Sequence, residues 1–228
     1  MRAQPALALT GVRMLTRSEL DALTKDLEEN FSFSFVAPDN ALRETAISFL
    51  KFLATLVPGS AIAVDALLKH LDQWSSTFPL PFGTVCLLSK RAVSDPLMEI
   101  RTKVHEATHA YQIKEAGGVQ AAVDYLGSGN LRAMRESSAC VAALWTEYLL
   151  TGNLPDAVAA TNSLRQDLYH LDKGEADLAV GNAQYAINGI LSKVVPPYAV
   201  AISTLRWLRI NAPSKIVPGW CQVIEVPS

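Results

Sequence analysis

Asp95-Pro96 and Gly117-Gly118 bracket a stretch whose local chemistry admits one structure. Aspartate before the first turn accepts a free backbone N–H. Proline at the first helical position carries the right φ and lacks an N–H that would go unpaired there. Paired glycines past the other end let the chain leave through a left-handed turn. The spacing predicts a helix over 96–116. Shortly before it, Phe78-Pro79-Leu80-Pro81-Phe82-Gly83 forbids helix and leads into Thr84-Val85-Cys86-Leu87-Leu88, which reads as a strand over 84–88.

Most of the remaining chain also reads as helix. Ser18 caps a segment over 19–30, Asp39 one over 40–57 stopped by Pro58-Gly59, and Ser60 one over 61–75. Further helices are expected over 119–126, 130–150, 155–171 and 175–194, with a last one from Pro196-Pro197 to Leu208. Half of the 228 residues are hydrophobic and 18% are charged, enough apolar surface to build a core and too little charge for a disordered chain. No repeat or linker interrupts the pattern. The expectation is one predominantly helical α+β domain with a small sheet beside the 96–116 helix. Residues 1–77 form a helical N-terminal part, 78–192 the central core and 193–228 a C-terminal extension.

Twenty Lys+Arg against 22 Asp+Glu, without basic clusters, argue against nucleic acid as a partner. Three cysteines, Cys86, Cys140 and Cys221, lie far apart and form no CxxC pair, which suits a reducing compartment. Ala6-Leu7-Ala8-Leu9 is cut by Thr10, Gly11 and Arg13, short for a signal peptide. The apolar run 47–68 is broken by Lys51, Pro58, Gly59 and Asp65, so no membrane span is expected and the cytoplasm is the expected location. Gly127-Ser128-Gly129 lacks the preceding strand and following lysine of a phosphate loop.

The chemistry concentrates at His105-Glu106-Ala107-Thr108-His109. On a helix the two histidines stand one turn apart, so both imidazoles can reach one cation, while Glu106 points about a quarter turn away toward a water on that cation. Leu97, Ile100, Val104, Ala107 and Tyr111 make the apolar stripe of this helix, and the histidines lie on its flank with Met98, at the core's edge. These residues, their helix and the strand before it resemble the zincin metallopeptidases. The resemblance covers about 35 residues. It implies a zincin-like core, a zinc (Zn2+) cofactor and a peptide or protein substrate held along the edge strand of the sheet. Glu106 would be the catalytic base, taking a proton from the water activated by zinc and returning it to the leaving amine.

Such a site needs a third protein ligand. Gln112 and Glu115 occupy the positions where metzincins carry glycine and a ligand, which points instead to a gluzincin-like arrangement with a downstream glutamate. On the 130–150 helix, Leu131, Met134, Val141, Trp145, Tyr148 and Leu149 form a bulky stripe. The other side carries Glu136, Ala139, Cys140, Ala143 and Glu147. A carboxylate followed by small residues suits close helix packing, and Glu136-Ser137-Ser138-Ala139 resembles the Glu-x-x-Ala segment of several gluzincins. Glu136 is the first choice, Glu147 the second and Asp124 the third; the bland alternative places Glu136 on a solvated face. Thermolysin-like relatives have Asp where Cys140 stands, leaving the partner of the first histidine unassigned. Cys86 lacks the Glu-Gly-Cys context of deformylases and reads as a buried strand thiol.

Tyr169, His170 and Tyr185 are oxyanion-donor candidates by residue type. Arg132 and Arg135 are either surface residues or clamps for a substrate carboxylate. His70 reads as a helix-end residue, and Trp74, Trp145, Trp207 and Trp220 as packing residues. Two other readings share the motif: a zinc hydrolase acting on a non-peptide amide, and a catalytically silent binding protein on the same scaffold.

Overall fold

The computed structural model describes residues 14–56, 64–65, 68–69, 71, 75–80, 83–153, 171–192, 194–195, 197–218 and 220. Helix α1 (Arg17–Phe31) starts two residues earlier than a Ser18 cap would have it. Thr16 is the cap, because Glu19 stands three residues on and closes a reciprocal box: the Glu19 N–H donates to Thr16 Oγ1, and the Thr16 N–H to Glu19 Oε2. The chain turns at Ser32 in the left-handed region (φ 59°) and enters β1 (Phe33–Val36), a strand not expected from the sequence. Helix α2 (Leu42–Leu56) follows. The segment expected to be helical over 61–75 lies largely outside the described residues, with His70 and Trp74.

β2 (Ser76–Leu80) and β3 (Gly83–Leu87) complete a sheet of order β1-β3-β2, with β1 parallel and β2 antiparallel to β3. The expected strand is thus the central one, and the proline-rich stretch before it is a strand too. Pro79 is tolerated because β2 lies at the sheet edge, where a missing N–H interrupts no inner ladder.

Helix α3 (Pro96–Ala116) has the expected bounds. Asp95 Oδ1 accepts the Met98 N–H at 2.9 Å, and Gly117 exits at φ 81°. It is followed by α4 (Val119–Gly127), α5 (Gly129–Thr151), α6 (Lys173–Leu191) and α7 (Ala199–Asn211), with a 3-10 turn at Pro213–Lys215. Residue 128 alone separates α4 from α5. Ser128 closes the first helix through its backbone N–H to Asp124 O and caps the second through its hydroxyl, which accepts the Leu131 N–H. Asp172 rather than a later residue starts α6, again by a capping box, here with Glu175.

α3 sits at the centre. It packs on α5, α1, α7 and β2, and its apolar side joins Leu23 and Leu27 of α1, Trp145 and Leu149 of α5, and Leu205 and Leu208 of α7 in one core. Segments from both ends of the chain therefore share the core of the motif helix. Trp145 and Trp220 meet edge to face inside it at 5.8 Å, and Trp207 borders it. A smaller cluster of Val36, Ala46, Leu50, Phe78, Val85 and Leu87 covers the other side of the sheet.

Helix α5 departs from the amphipathic reading. Met134 and Leu131, placed on its bulky stripe, are 51% and 40% exposed, whereas Glu136 is 2% exposed, which removes the alternative of a solvated face. α5 is packed between α3 and α6, so it has two buried sides and no single apolar stripe. Its small residues face the close neighbour. No helix among the described residues is long and apolar enough to cross a membrane.

Candidate metal centre

Antiparallel packing of α3 on α5 brings His105, His109 and Glu136 together at the helix interface. The two histidine Nε2 atoms are 3.1 Å apart, and each lies 3.4 Å from Glu136 Oε2. This cluster is also the group whose ligand atoms converge closely enough for one ion, among the described residues. Nitrogen and oxygen ligands about 2.0–2.1 Å from a tetrahedral centre stand about 3.3–3.4 Å from one another. The two edges to Glu136 match that figure and the edge between the histidines is slightly shorter. Glu136 Oε2 is buried and makes no hydrogen bond among the described residues; the two imidazoles face it at 3.4 Å, an opening that a cation shared by the three atoms would close. The residues fit a zinc ion with one position left open.

His109 and Glu136 are held from behind. Gln112, three residues after His109 on the same face of α3, donates its amide N–H to the Arg135 carbonyl at 3.2 Å. Its Oε1 is thereby left to accept from His109 Nδ1 at 3.0 Å. A proton fixed on Nδ1 leaves the lone pair on Nε2, the tautomer a metal requires. The Cys140 side chain, one turn after Glu136 on α5, lies near enough to His105 to act on its charge, in the place where the sequence left that histidine's partner unassigned. Tyr125, on α4, donates its hydroxyl to Glu136 Oε1 at 2.5 Å.

Burial works against charge on all three ligands, yet the cluster stays charged. Desolvation pushes the Glu136 carboxyl up, but the two imidazoles hold it far below the ordinary carboxylate range. Burial pushes both imidazoles down. Cys140 and Glu136 beside His105, and Glu136 beside His109, outweigh that and leave His105 well above and His109 above the ordinary histidine value.

Glu106 is 4% exposed, and its charge acts on both imidazoles. Thr77 on β2 donates its hydroxyl to Glu106 Oε2 at 2.7 Å, while the Cys86 thiol points at the Glu106 carbonyl at 3.7 Å. Burial, with Glu106 nearby, pushes the Cys86 thiol well up, so it is a packed strand thiol and no ligand.

The other candidates are occupied or elsewhere. Glu147 pairs with Arg101 at 3.0 Å, and Asp124 accepts from Gln120 at 2.7 Å and faces Arg135 at 3.4 Å. Arg132 donates to the Tyr125 carbonyl and Arg135 to the Ala121 carbonyl, both at 2.7 Å; they are struts between α4 and α5 rather than free clamps. Tyr185 stands 83% exposed on α6. Tyr169 and His170 lie outside the described residues, as does the helix expected over 155–171.

Gln112, Tyr125 and Thr77 escaped the sequence reading. Gln112 carried a usable signal, its i+3 spacing from His109; the other two arrive through tertiary packing. No family model, curated protein or solved structure matches the chain, so what its site can do rests on the geometry above.

Proposed function

We propose that this chain is a zinc-dependent metallopeptidase with a zincin-like core of gluzincin type. The observation that carries the reading is the triangle of His105 Nε2, His109 Nε2 and Glu136 Oε2, with the unpartnered carboxylate oxygen at one corner. When bound, zinc supplies a Lewis acid that lowers the pKa of a coordinated water toward neutrality.

The chain's own residues supply the rest. Glu106 is the proton carrier: its carboxylate accepts a proton from the attacking water and delivers it to the leaving nitrogen. Thr77 bonds one Glu106 oxygen and leaves the other as the basic atom. Among the described residues β2 pairs only with β3, so its other edge is available to an extended peptide passing beside Glu106. That arrangement favours a peptide over a compact amide substrate.

The test is metal content by mass spectrometry, paired with cleavage of a mixed peptide library. Wild type should carry about one zinc per chain, His109→Ala and Glu136→Ala little or none, and Glu106→Gln should keep zinc while losing cleavage. Zinc without turnover of any peptide would favour the amide-hydrolase or silent-scaffold readings. A wild-type chain that takes up no zinc when it is supplied would end the proposal.

A further inference from the structure

The two oxygens of Glu136 have unlike surroundings. Oε2 faces both imidazoles and accepts no hydrogen bond among the described residues, while Oε1 is taken by the Tyr125 hydroxyl at 2.5 Å. Tyr125 is itself held in place: Arg132 Nη1 donates to its backbone carbonyl at 2.7 Å, and the Arg132 guanidinium lies 5.8 Å from its ring centroid. A second strut, Arg135 to the Ala121 carbonyl, ties the preceding turn of α4 to α5. These bonds serve one placement, a phenol directed at the far side of a ligand carboxylate.

A carboxylate can bind a metal through one oxygen or two, and the choice changes the coordination number. Tetrahedral zinc is satisfied by one oxygen, two nitrogens and a water. Metals that favour oxygen-rich sites of higher coordination, manganese among them, gain from the second oxygen. From this we infer that Tyr125 sets Glu136 to bind through Oε2 alone, and so makes the site prefer four-coordinate metals such as zinc and cobalt over manganese. The inference rests on the metal-centre reading above but adds to it a residue that touches no metal and selects among metals.

Tyr125→Phe isolates the hydroxyl, because the ring, its contact with Arg132 and the backbone bond are all retained. Metal-stripped full-length wild type and variant are titrated with Co2+, Zn2+ and Mn2+. Wild type should bind one Co2+ with the intense visible bands of a four-coordinate ion. In Tyr125→Phe those bands should weaken and shift as Oε1 joins, and the affinity for Mn2+ relative to Zn2+ should rise about tenfold or more. An unchanged spectrum with an unchanged Mn2+/Zn2+ ratio would overturn the inference while leaving the metal centre intact. So would an equal loss of affinity for every metal, which would make Tyr125 a strut only. Failure of wild type to bind any of the three would instead remove the reading beneath it. X-ray absorption at the zinc edge of wild type decides the matter without the variant: four near neighbours support the inference, and a fifth from a two-oxygen carboxylate overturns it.

Discussion

Helix α3 buries two charged clusters on different sides, and they are built to opposite plans. Toward α1, Glu99 is 2% exposed and receives Arg17 Nη1 and Lys103 Nζ, each at 2.7 Å. Lys103 is 5% exposed, donates also to Thr24 Oγ1 at 2.9 Å and lies over the Phe35 ring. Every charge there has a counter-charge and a donor or acceptor in place. Toward α5, two imidazole nitrogens and one carboxylate oxygen face a common point, and that oxygen has no donor. A closed cluster holds a fold together, whereas two ring nitrogens and a carboxylate oxygen converging on one point, with no hydrogen bond to that oxygen, suit a cation. Burial alone does not tell the two apart; the direction of the donors does.

The sharpest way to break the comparison is to fill the open cluster. At a zinc concentration about a thousandfold above Kd, the wild-type protein should gain about 4 kcal/mol of stability. Melting of the wild type and of Glu136→Ala, with zinc and with chelator, checks this. An equal zinc shift in both would remove Glu136 from the site. The closed cluster should answer to mutation and ignore metal. Lys103→Ala leaves Glu99 with one partner and should cost about 3 kcal/mol in denaturant unfolding, with the zinc titration of the folded protein unchanged.

Between these lies the outer bond to His109. Gln112→Ala should weaken zinc binding about 10–100-fold, about 1.4–2.7 kcal/mol, and Gln112→Glu, which keeps an acceptor for Nδ1, should restore part of it. Equal affinities across the three proteins by competition with a chromophoric chelator would show that Gln112 does not orient the ring.

The smallest expected effect is the pH slope of the metal-free protein. Both imidazoles are raised from 6.5, so their contribution is fully present below that value and is lost as pH rises through their folded values. Glu136 is lowered from 4.5, so its contribution is present above 4.5 and fades only in strong acid. Metal-free stability should therefore decline on the alkaline side, while zinc binding, which displaces those protons, should strengthen there. Melts across that range with chelator and with zinc should slope in opposite directions.

What the sequence disclosed follows the range of the forces involved. α3 was legible to its ends because Asp95, Pro96 and Gly117 act within a turn of themselves. Glu136 was legible as a member of the cluster, since small residues after it announce a close neighbour, but the burial of both sides of its helix was not, because nothing local shows that α5 has α6 behind it. β1 carried its signal in the alternation Phe33-Ser34-Phe35, too short a run to stand out between the helices expected over 19–30 and 40–57; β2 was obscured by Pro79, whose tolerance depends on an edge position that only the assembled sheet defines. Thr77 and Glu106 are 29 residues apart, and Tyr125 and Glu136 are on different helices. Tyr185, chosen by residue type, stands exposed on α6, since type does not say which way a helix turns its side chain.

The single residue between α4 and α5 has a further effect. Ser128 ends one helix and begins the next, so the angle between them has almost no slack, and the phenol and the carboxylate they carry move as one corner. Such a corner spends little conformational entropy when an ion arrives. Small zinc domains use their metal as the nucleus around which the chain condenses. On the metal-centre proposal, an ion would enter a frame already standing here, and could leave and return while that frame stays folded.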